Sequence, residues 1–437
     1  MTNSELFDEA VDWLKIPSIS AGERNDAALR EAAEWARKRV VDAGGTCELV
    51  ETSGGAPLVV GELRSARDDA ATVMIYGHYD VQDPGDPSDW TSPAFEPTVR
   101  DGRVYARGAT DDKGNFLPLL HVACALAVEG TLPVHVRVLI EGAEETGSDD
   151  VGRWVSADER GADAVIVFDS GMVDAGTPAL TLATRGMVFA HVEVRTGTQP
   201  AHSGMYGGAA LNAFHALHQA LSAVLPGPDG RLPEPLRAGV IPPSDAELES
   251  WKTLPSGDGE LGQVGARPAD AKAVEEFYIR TTAEPSLDVH RIAGGQARTI
   301  VVPVVSADLS VRIVGGQRSE QIAANLEALL RGALPEGAEL TFSADRAEAS
   351  AFDPETPALL AARRAFERAC GTAPALVRSG GTLPILAAFA ERGIPAIVSG
   401  FSLPDDALHA PDESYRLVAL EQGAAAARAL YEELAGL

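Results

Sequence analysis

Five short apolar segments in this chain lead directly into a histidine or an acid, and this pattern constrains the fold more than any other feature. TVMIYGHYD ends in His78 and Asp80, and RVYARGATDDKGN carries Asp111 and Asp112. VHVRVLIEGAEETGS ends in Glu144 and Glu145, ADAVIVFDS ends in Asp169, and IPAIVSG leads into the loop that holds His409. Short apolar runs rich in β-branched residues read as strands buried on both faces, the pattern of a parallel sheet. In open α/β sheets the ligand crevice lies beyond the carboxyl ends of such strands. The segments therefore deliver two imidazoles and several carboxylates to one place. That donor set suits a divalent metal, zinc first, with manganese or cobalt also accommodated.

A chain of 437 residues exceeds one ordinary core, which predicts two domains. The net charge of −28 argues against nucleic acid or an anionic membrane as partner. No apolar run approaches the length of a membrane span, and the N-terminus lacks the basic and apolar regions of a signal peptide. Cys47, Cys124 and Cys370 are few, odd in number and without metal-ligand spacing, which fits a reducing cytoplasm.

Up to about residue 184 strands alternate with helices, the signature of an α/β unit. An amphipathic helix stopping at Pro17 is followed by a helix at 26–43, a strand at 72–76, a helix at 115–129, a strand at 134–140, a helix at 148–156 and a strand at 163–168. After Arg185–Gly186 the character changes. MVFAHVEVRT, LNAFHALHQALSAVL, ADLSVRIV, SEQIAANLEALLRGAL and AELTFSAD read as strand, helix, strand, helix and strand, a smaller α+β domain with helices on one face of an antiparallel sheet. Residues 226–298 are rich in Pro, Gly and acids, and short helices are expected within them. From about 350 the α/β pattern resumes, with a helix at 356–370, TLPILAAFA, IPAIVSG and a helix from about 417. The expected architecture is an α/β domain with a mostly parallel sheet flanked by helices, built from 1–185 and 349–437 and interrupted by an α+β domain at 186–348.

Each chemical element has a plain explanation by itself. His78 and Asp80 form an H-x-D pair on one face of a strand, where a carboxylate orients a metal-bound imidazole or simply satisfies a surface histidine. Asp111–Asp112 would complement a helix N-terminus. Glu144–Glu145 would form a solvated turn, but adjacent carboxylates repel, and one can stay ionised on a metal while the other is poised as a base. Asp169 at the end of a buried strand needs a partner. His121, His135, His191, His215 and His218 read as packing or surface residues.

Taken together and in this order, GHYDVQ, ARGATDDKG, EGAEETGS, Asp169, AHSGMYGG and LHAPDE are specific. The chain resembles the carnosinase/aminoacylase family of dinuclear zinc metallopeptidases over nearly its whole length, including the inserted domain. GHYDVQ and HSGMYGG look most like the dipeptidase branch, the cytosolic nonspecific dipeptidase and carnosinase group. The resemblance implies that Asp111 bridges two divalent ions, that His78 and Asp169 complete one, and that Glu145 and His409 complete the other. It implies that Asp80 orients His78, that Glu144 is the general base for the metal-bridging water, and that the Asp111–Asp112 peptide is cis. The inserted domain is then a lid and dimerisation domain. His202 would reach across a homodimer to the substrate carbonyl oxygen, with Thr299 also lent by the partner. Arg312 would take the substrate's C-terminal carboxylate, and Arg378 and Thr382 would close on the same end.

The function so implied is hydrolysis of dipeptides or short peptides with a free C-terminus, by a cytoplasmic homodimeric enzyme. An N-acyl amino acid amidohydrolase would use the same site, since both reactions cleave an amide next to a carboxylate. A non-catalytic metal-binding homologue is the reading from another class. The intact set Asp80, Glu144 and all five ligand-type residues argues against it.

Overall fold

The structure is a computed structural model and describes residues 3–147, 149–381 and 383–437. Two compact units emerge: one formed by residues up to Leu182 with Phe352–Val377 and Ala388–Leu437, the other by Ala183–Ala351 with Arg378–Ala387. The segment Arg378–Ala387 thus groups with the second unit, whereas the sequence reading had put it in the first.

The first unit is organised by four parallel strands, in the spatial order His135–Glu141, Thr72–His78, Ala164–Phe168 and Ala396–Ser399. Every residue of His135–Glu141 and of Ala164–Phe168 is buried, which is why their sequences run apolar without alternation. In this register His78 lies beside Glu141 and Ser399 beside Phe168. One direction and a level register bring the carboxyl ends of all four strands to one edge, and the segments that follow them start there. Antiparallel strands extend the sheet on both sides: Thr46–Val50 and Leu58–Leu63 next to His135–Glu141, and Ala179–Thr184 next to Ala396–Ser399. The sequence reading did not pick out these three.

Helices cover the sheet. Lys113–Glu129 is buried around almost its whole circumference, packed between the sheet, the N-terminal helix Asn3–Leu14 and the C-terminal helix Leu417–Leu434. Its N-terminal end is pinned. The Lys113 ammonium, fully buried, donates to the carbonyls of Trp13 (3.1 Å) and Ile16 (2.8 Å), tying the start of this helix to the turn that ends the N-terminal helix. Trp13 in turn stacks on Trp35 of the helix Asp26–Asp42, with ring centroids 4.9 Å apart. At Gly77 the strand and the helix approach so closely that a Cβ would meet the Phe116 ring and lie 2.6 Å from Asp112 Oδ2. The residue before His78 therefore has no room for a side chain.

The second unit has a four-stranded antiparallel sheet, in the order Ser286–Gly294, Val304–Ile313, Gly186–Arg195 and Glu339–Ala347. Val188, Ala190, Val192 and Val194 alternate onto one face, where they meet the helices Ala213–Ser222 and Ser319–Ala333 through Ala216, Leu217, Ala220, Ile322, Leu326 and Leu330. The segment 226–298 holds the short helices Glu234–Arg237, Asp245–Trp251 and Gly257–Gln263. It also holds the strand Ser286–Gly294, an addition to the sequence reading. That strand is mostly half-exposed or exposed and carries an irregularity at Val289/Arg291, so its apolar periodicity is weak.

Candidate metal centre

The strand edge of the first unit collects the acids and imidazoles. His78 is the last residue of its strand and fully buried. Its Nδ1 lies 3.0 Å from the Asp80 carbonyl oxygen and 3.3 Å from Asp80 Oδ1, so its Nε2 faces the other way, 3.0 Å from Asp111 Oδ1. The second oxygen of Asp111 is 2.8 Å from His409 Nε2. His409 Nε2 is also 3.3 Å from Glu145 Oε2. Ligand-type atoms of His78, Asp111 and Asp169 lie within 4.8 Å of one another, and so do those of Asp111, Glu145 and His409. The two groups share Asp111.

Adjacent acids are separated by backbone direction. Asp112 turns away from the cluster and accepts the backbone N–H of His78 (3.2 Å), leaving Asp111 to face both imidazoles. The Asp111–Asp112 peptide is cis. Glu145 faces His409, and its Oε2 accepts from the Gln82 amide (2.8 Å). Glu144 belongs to neither three-residue group. Asp80 organises this turn: it accepts the backbone N–H groups of Glu144 (3.3 Å) and Glu145 (3.2 Å) and the hydroxyl of Ser20 (2.5 Å). One buried carboxylate thus aligns an imidazole and both glutamates.

The electrostatics follow from the crowding. Burial, with Asp111, Asp80 and Glu145 nearby, pushes the Glu144 carboxyl up to about 7. Burial, with Asp111, Glu144 and Glu145 nearby, holds Asp169 well above the usual range. Hydrogen bonds to Asp111 and Glu145 raise His409 to about 10. Burial disfavours a charged His78, but its bonds to Asp111 and Asp80 outweigh this and lift its pKa well above the ordinary value. Burial likewise opposes a charged Asp111, and the two imidazoles overcome it, holding that carboxyl below its usual range. A site this rich in negative charge attracts cations.

The remaining expected residues lie elsewhere. His202, Thr299, Arg312 and Arg378 are in the second unit. His202 and Thr299 are both exposed and adjacent, with the backbone N–H of Ser203 donating to the Thr299 carbonyl (3.0 Å). His202 Nδ1 accepts from Gly204 N–H (3.0 Å), which leaves Nε2 to carry the proton in the neutral ring. Arg312 is half-buried on its strand, paired with Met187 and Ser286. Burial together with the Arg312 charge lowers the Arg185 guanidinium to about 10, with Asp288 acting in the opposite direction. Arg378 is bound to groups of its own unit: Nε to Glu247 Oε1 (2.7 Å), Nη1 to the Ile241 carbonyl (3.1 Å) and Nη2 to the Pro242 carbonyl (3.3 Å). It secures the segment 241–247 and is not among the substrate contacts proposed below. Thr382 lies outside the described residues.

A sequence profile of Peptidase family M20/M25/M40 matches residues 74–433. The chain belongs to this family. It is a metal-dependent hydrolase, a metallopeptidase. The cysteinylglycine-S-conjugate dipeptidase of Corynebacterium striatum is 29% identical over 403 residues, covering 88% of this chain and 85% of the relative. The human Beta-Ala-His dipeptidase is 28% identical over 407 residues, covering 87% and 78%. Among solved structures, human carnosine dipeptidase 1 superposes with a TM-score of 0.73 at 26% identity, covering 100% of this chain and 97% of that one.

This peptidase has residues that fit a metal pair. Two imidazole nitrogens and two further carboxylates converge on the shared acid Asp111, and Glu145 Oε1 is buried with no hydrogen-bond partner among the described residues. A buried carboxylate oxygen without a partner is costly, and a cation removes that cost. Several supporting residues were not singled out as site residues in the sequence: Ser20, Gln82, which stands in GHYDVQ, and Asn115. Asn115 donates to the carbonyls of Thr110 (3.2 Å) and Ser170 (3.3 Å) and to Ser402 Oγ (2.7 Å), joining the three loops that carry Asp111, Asp169 and His409. A polar residue near the start of an apolar helix, GNFLPLL, was the one available hint.

Sharing predicts an asymmetry between variants. Elemental analysis of the wild type should find about two divalent ions per chain, the number suited to such a shared site. Glu145→Gln should lose one of them, and Asp111→Asn should weaken both. Full metal content in Asp111→Asn would contradict the shared site.

Proposed function

We propose that this metallopeptidase hydrolyses dipeptides and short peptides that have a free C-terminal carboxylate, using two divalent ions held by His78, Asp111, Asp169, Glu145 and His409. The observation that carries the reading is the pair of three-residue groups meeting at Asp111, with Glu144 alongside and outside both. When bound, the ions polarise the scissile carbonyl and acidify a water. Zinc suits the mixed nitrogen and oxygen donors best. Glu144 takes the proton of the attacking water and later delivers it to the leaving amine. Its separation from both ligand groups, and the Asp80 contacts that fix its backbone, support this role. The dipeptidase names of the relatives support a small peptide substrate.

Arg312 pairs with the substrate carboxylate, a bidentate role that suits a guanidinium. His202, with its proton on Nε2, donates to the carbonyl oxygen as that atom gains negative charge, and Thr299 acts next to it. We assign these two to the site of a second copy in a homodimer. All three cysteines are free, which supports a reducing compartment, and we read the enzyme as cytoplasmic.

Glu144→Gln should retain both ions and lose at least about 10²-fold in kcat, the scale of general base catalysis. Loss of metal in Glu144→Gln, with retention in Glu145→Gln, would exchange the two roles. Amidating the C-terminus of a good dipeptide should lower kcat/KM by roughly tenfold to a hundredfold, the worth of a charge-assisted hydrogen bond. Arg312→Ala should erase most of that difference, and equal turnover of acid and amide by the wild type would remove carboxylate recognition. Inactive Glu144→Gln and inactive His202→Ala, once their subunits exchange, should recover up to about half the wild-type activity per mixed dimer. Demonstrated exchange without recovery would take His202 out of the partner's site.

A further inference from the structure

The loop that carries Asp111 is organised around a carboxylate from far along the chain. Glu413 is fully buried and lies four residues after His409. Its Oε1 accepts the backbone N–H groups of Thr110 (2.8 Å) and Asp111 (3.1 Å). Its Oε2 accepts the backbone N–H of Gly108 (2.9 Å) and Nη1 of Arg107 (2.8 Å). The two backbones are joined as well, since Ala106 N–H donates to the Glu413 carbonyl (3.1 Å) and Ser414–Arg416 pairs with Arg103–Tyr105. On the other side of His409's loop, Asp412 accepts the backbone N–H (2.9 Å) and hydroxyl (2.7 Å) of Thr91.

A buried arginine needs a counter-ion, and Glu413 supplies one to Arg107. That requirement accounts for a single one of the four bonds. The other three come from the backbone N–H groups of Gly108, Thr110 and Asp111 in one loop, which form a concave cradle for an anion. Gly108, at φ 83°, adopts a left-handed conformation in that cradle, and a Cβ there would come 2.7 Å from Val81 Cγ1. The loop is thereby built for one occupant. The same residue continues directly into the chain that presents His409.

We propose that Glu413 is a positioning residue that locks the Asp111 loop to the His409 loop and so sets the separation of the two metal ions. This inference rests on the two-metal reading given above. Both Glu413 oxygens are taken up by N–H donors of the loop and of Arg107, which leaves it outside the set of metal-ligand candidates. It acts through Asp111, whose backbone N–H it holds while the two side-chain oxygens face opposite imidazoles. Each Glu413 oxygen accepts two donors. The isosteric Glu413→Gln must therefore turn an NH2 group toward two N–H donors. Glu413→Asp keeps the charge beside Arg107 but withdraws the carboxylate by one methylene.

The test is cobalt(II) titration of the metal-free protein, followed by visible absorption, with far-UV circular dichroism as the check on folding. Wild type should bind about two ions. Glu413→Gln should bind with about ten- to a hundredfold weaker affinity, the usual effect of removing a group that orients a metal ligand, and with an altered visible band. Glu413→Asp should fall in the same direction. In the zinc-loaded variants kcat should drop while KM for a dipeptide stays within about twofold, because the residue acts on the reacting centre and not on ground-state binding. Wild-type affinity and an unchanged cobalt band in folded variants would overturn the proposal and leave the two-metal reading standing. A wild type that binds no metal would overturn both. Should neither variant fold, amide hydrogen exchange of the metal-free wild type decides. Peptides spanning residues 107–111 should be protected, and exchange at the rate of an open loop would overturn the proposal.

Discussion

One carboxylate, Asp111, is approached from opposite sides by two imidazoles, and the acidic strand edge of the first unit depends on that arrangement. His78 meets Oδ1 and His409 meets Oδ2, from segments 331 residues apart in sequence by their own numbers. Neither contact is local. Each requires that the parallel strands end level, that the helix Lys113–Glu129 start immediately after Asp112, and that the loop after Ser399 return over the same edge. Fully buried strands supply the first condition, because their side chains leave no alternative register that keeps apolar surface out of water.

The charge balance explains why the edge suits metals. Carboxylates from Asp80, Asp111, Glu144, Glu145 and Asp169 gather at one edge, and burial together with repulsion among them raises Glu144 and Asp169. Hydrogen bonds from backbone N–H groups relieve Asp80, and two imidazoles relieve Asp111. Cations complete the neutralisation, which couples metal binding to the protonation of the cluster. The supporting residues are polar and buried or half-buried: Ser20 on Asp80, Gln82 on Glu145, Asn115 across three loops. Groups of this kind hold ligands in place within fractions of an ångström, the tolerance that catalysis demands.

Much of this was legible from residue order because burial leaves a mark. TVMIYGH, VRVLIE and AVIVF are apolar without alternation, and only a doubly covered sheet explains such runs ending in acids. Helix limits were readable within a few residues where apolar spacing and flanking glycines agreed, as at Asp26–Asp42 before Gly44. Two strands escaped notice because one face is wet or a glycine interrupts: Thr46–Val50 has no fully buried residue, and Leu58–Leu63 contains Gly61; Ala179–Thr184 is buried throughout, but its ALTLAT sequence is mostly Ala and Thr and reads weakly as a core strand. At the site, residue types pointed to metal chemistry, but adjacent acids look alike in sequence. Only backbone direction separates Asp111 from Asp112 and Glu145 from Glu144. The partners of Asn115 and Glu413 lie tens to hundreds of residues away in sequence, with no period to announce them.

The most direct measurement is a crystal structure of the zinc-loaded protein, with anomalous difference maps recorded on both sides of the zinc absorption edge. Two peaks should appear about 3.5–4 Å apart, the spacing of paired catalytic metals. One should be bounded by His78 and Asp169, the other by Glu145 and His409, with Asp111 touching both and Glu144 bound to neither. A single peak, a peak remote from Asp111, or Glu144 in direct coordination would contradict the account.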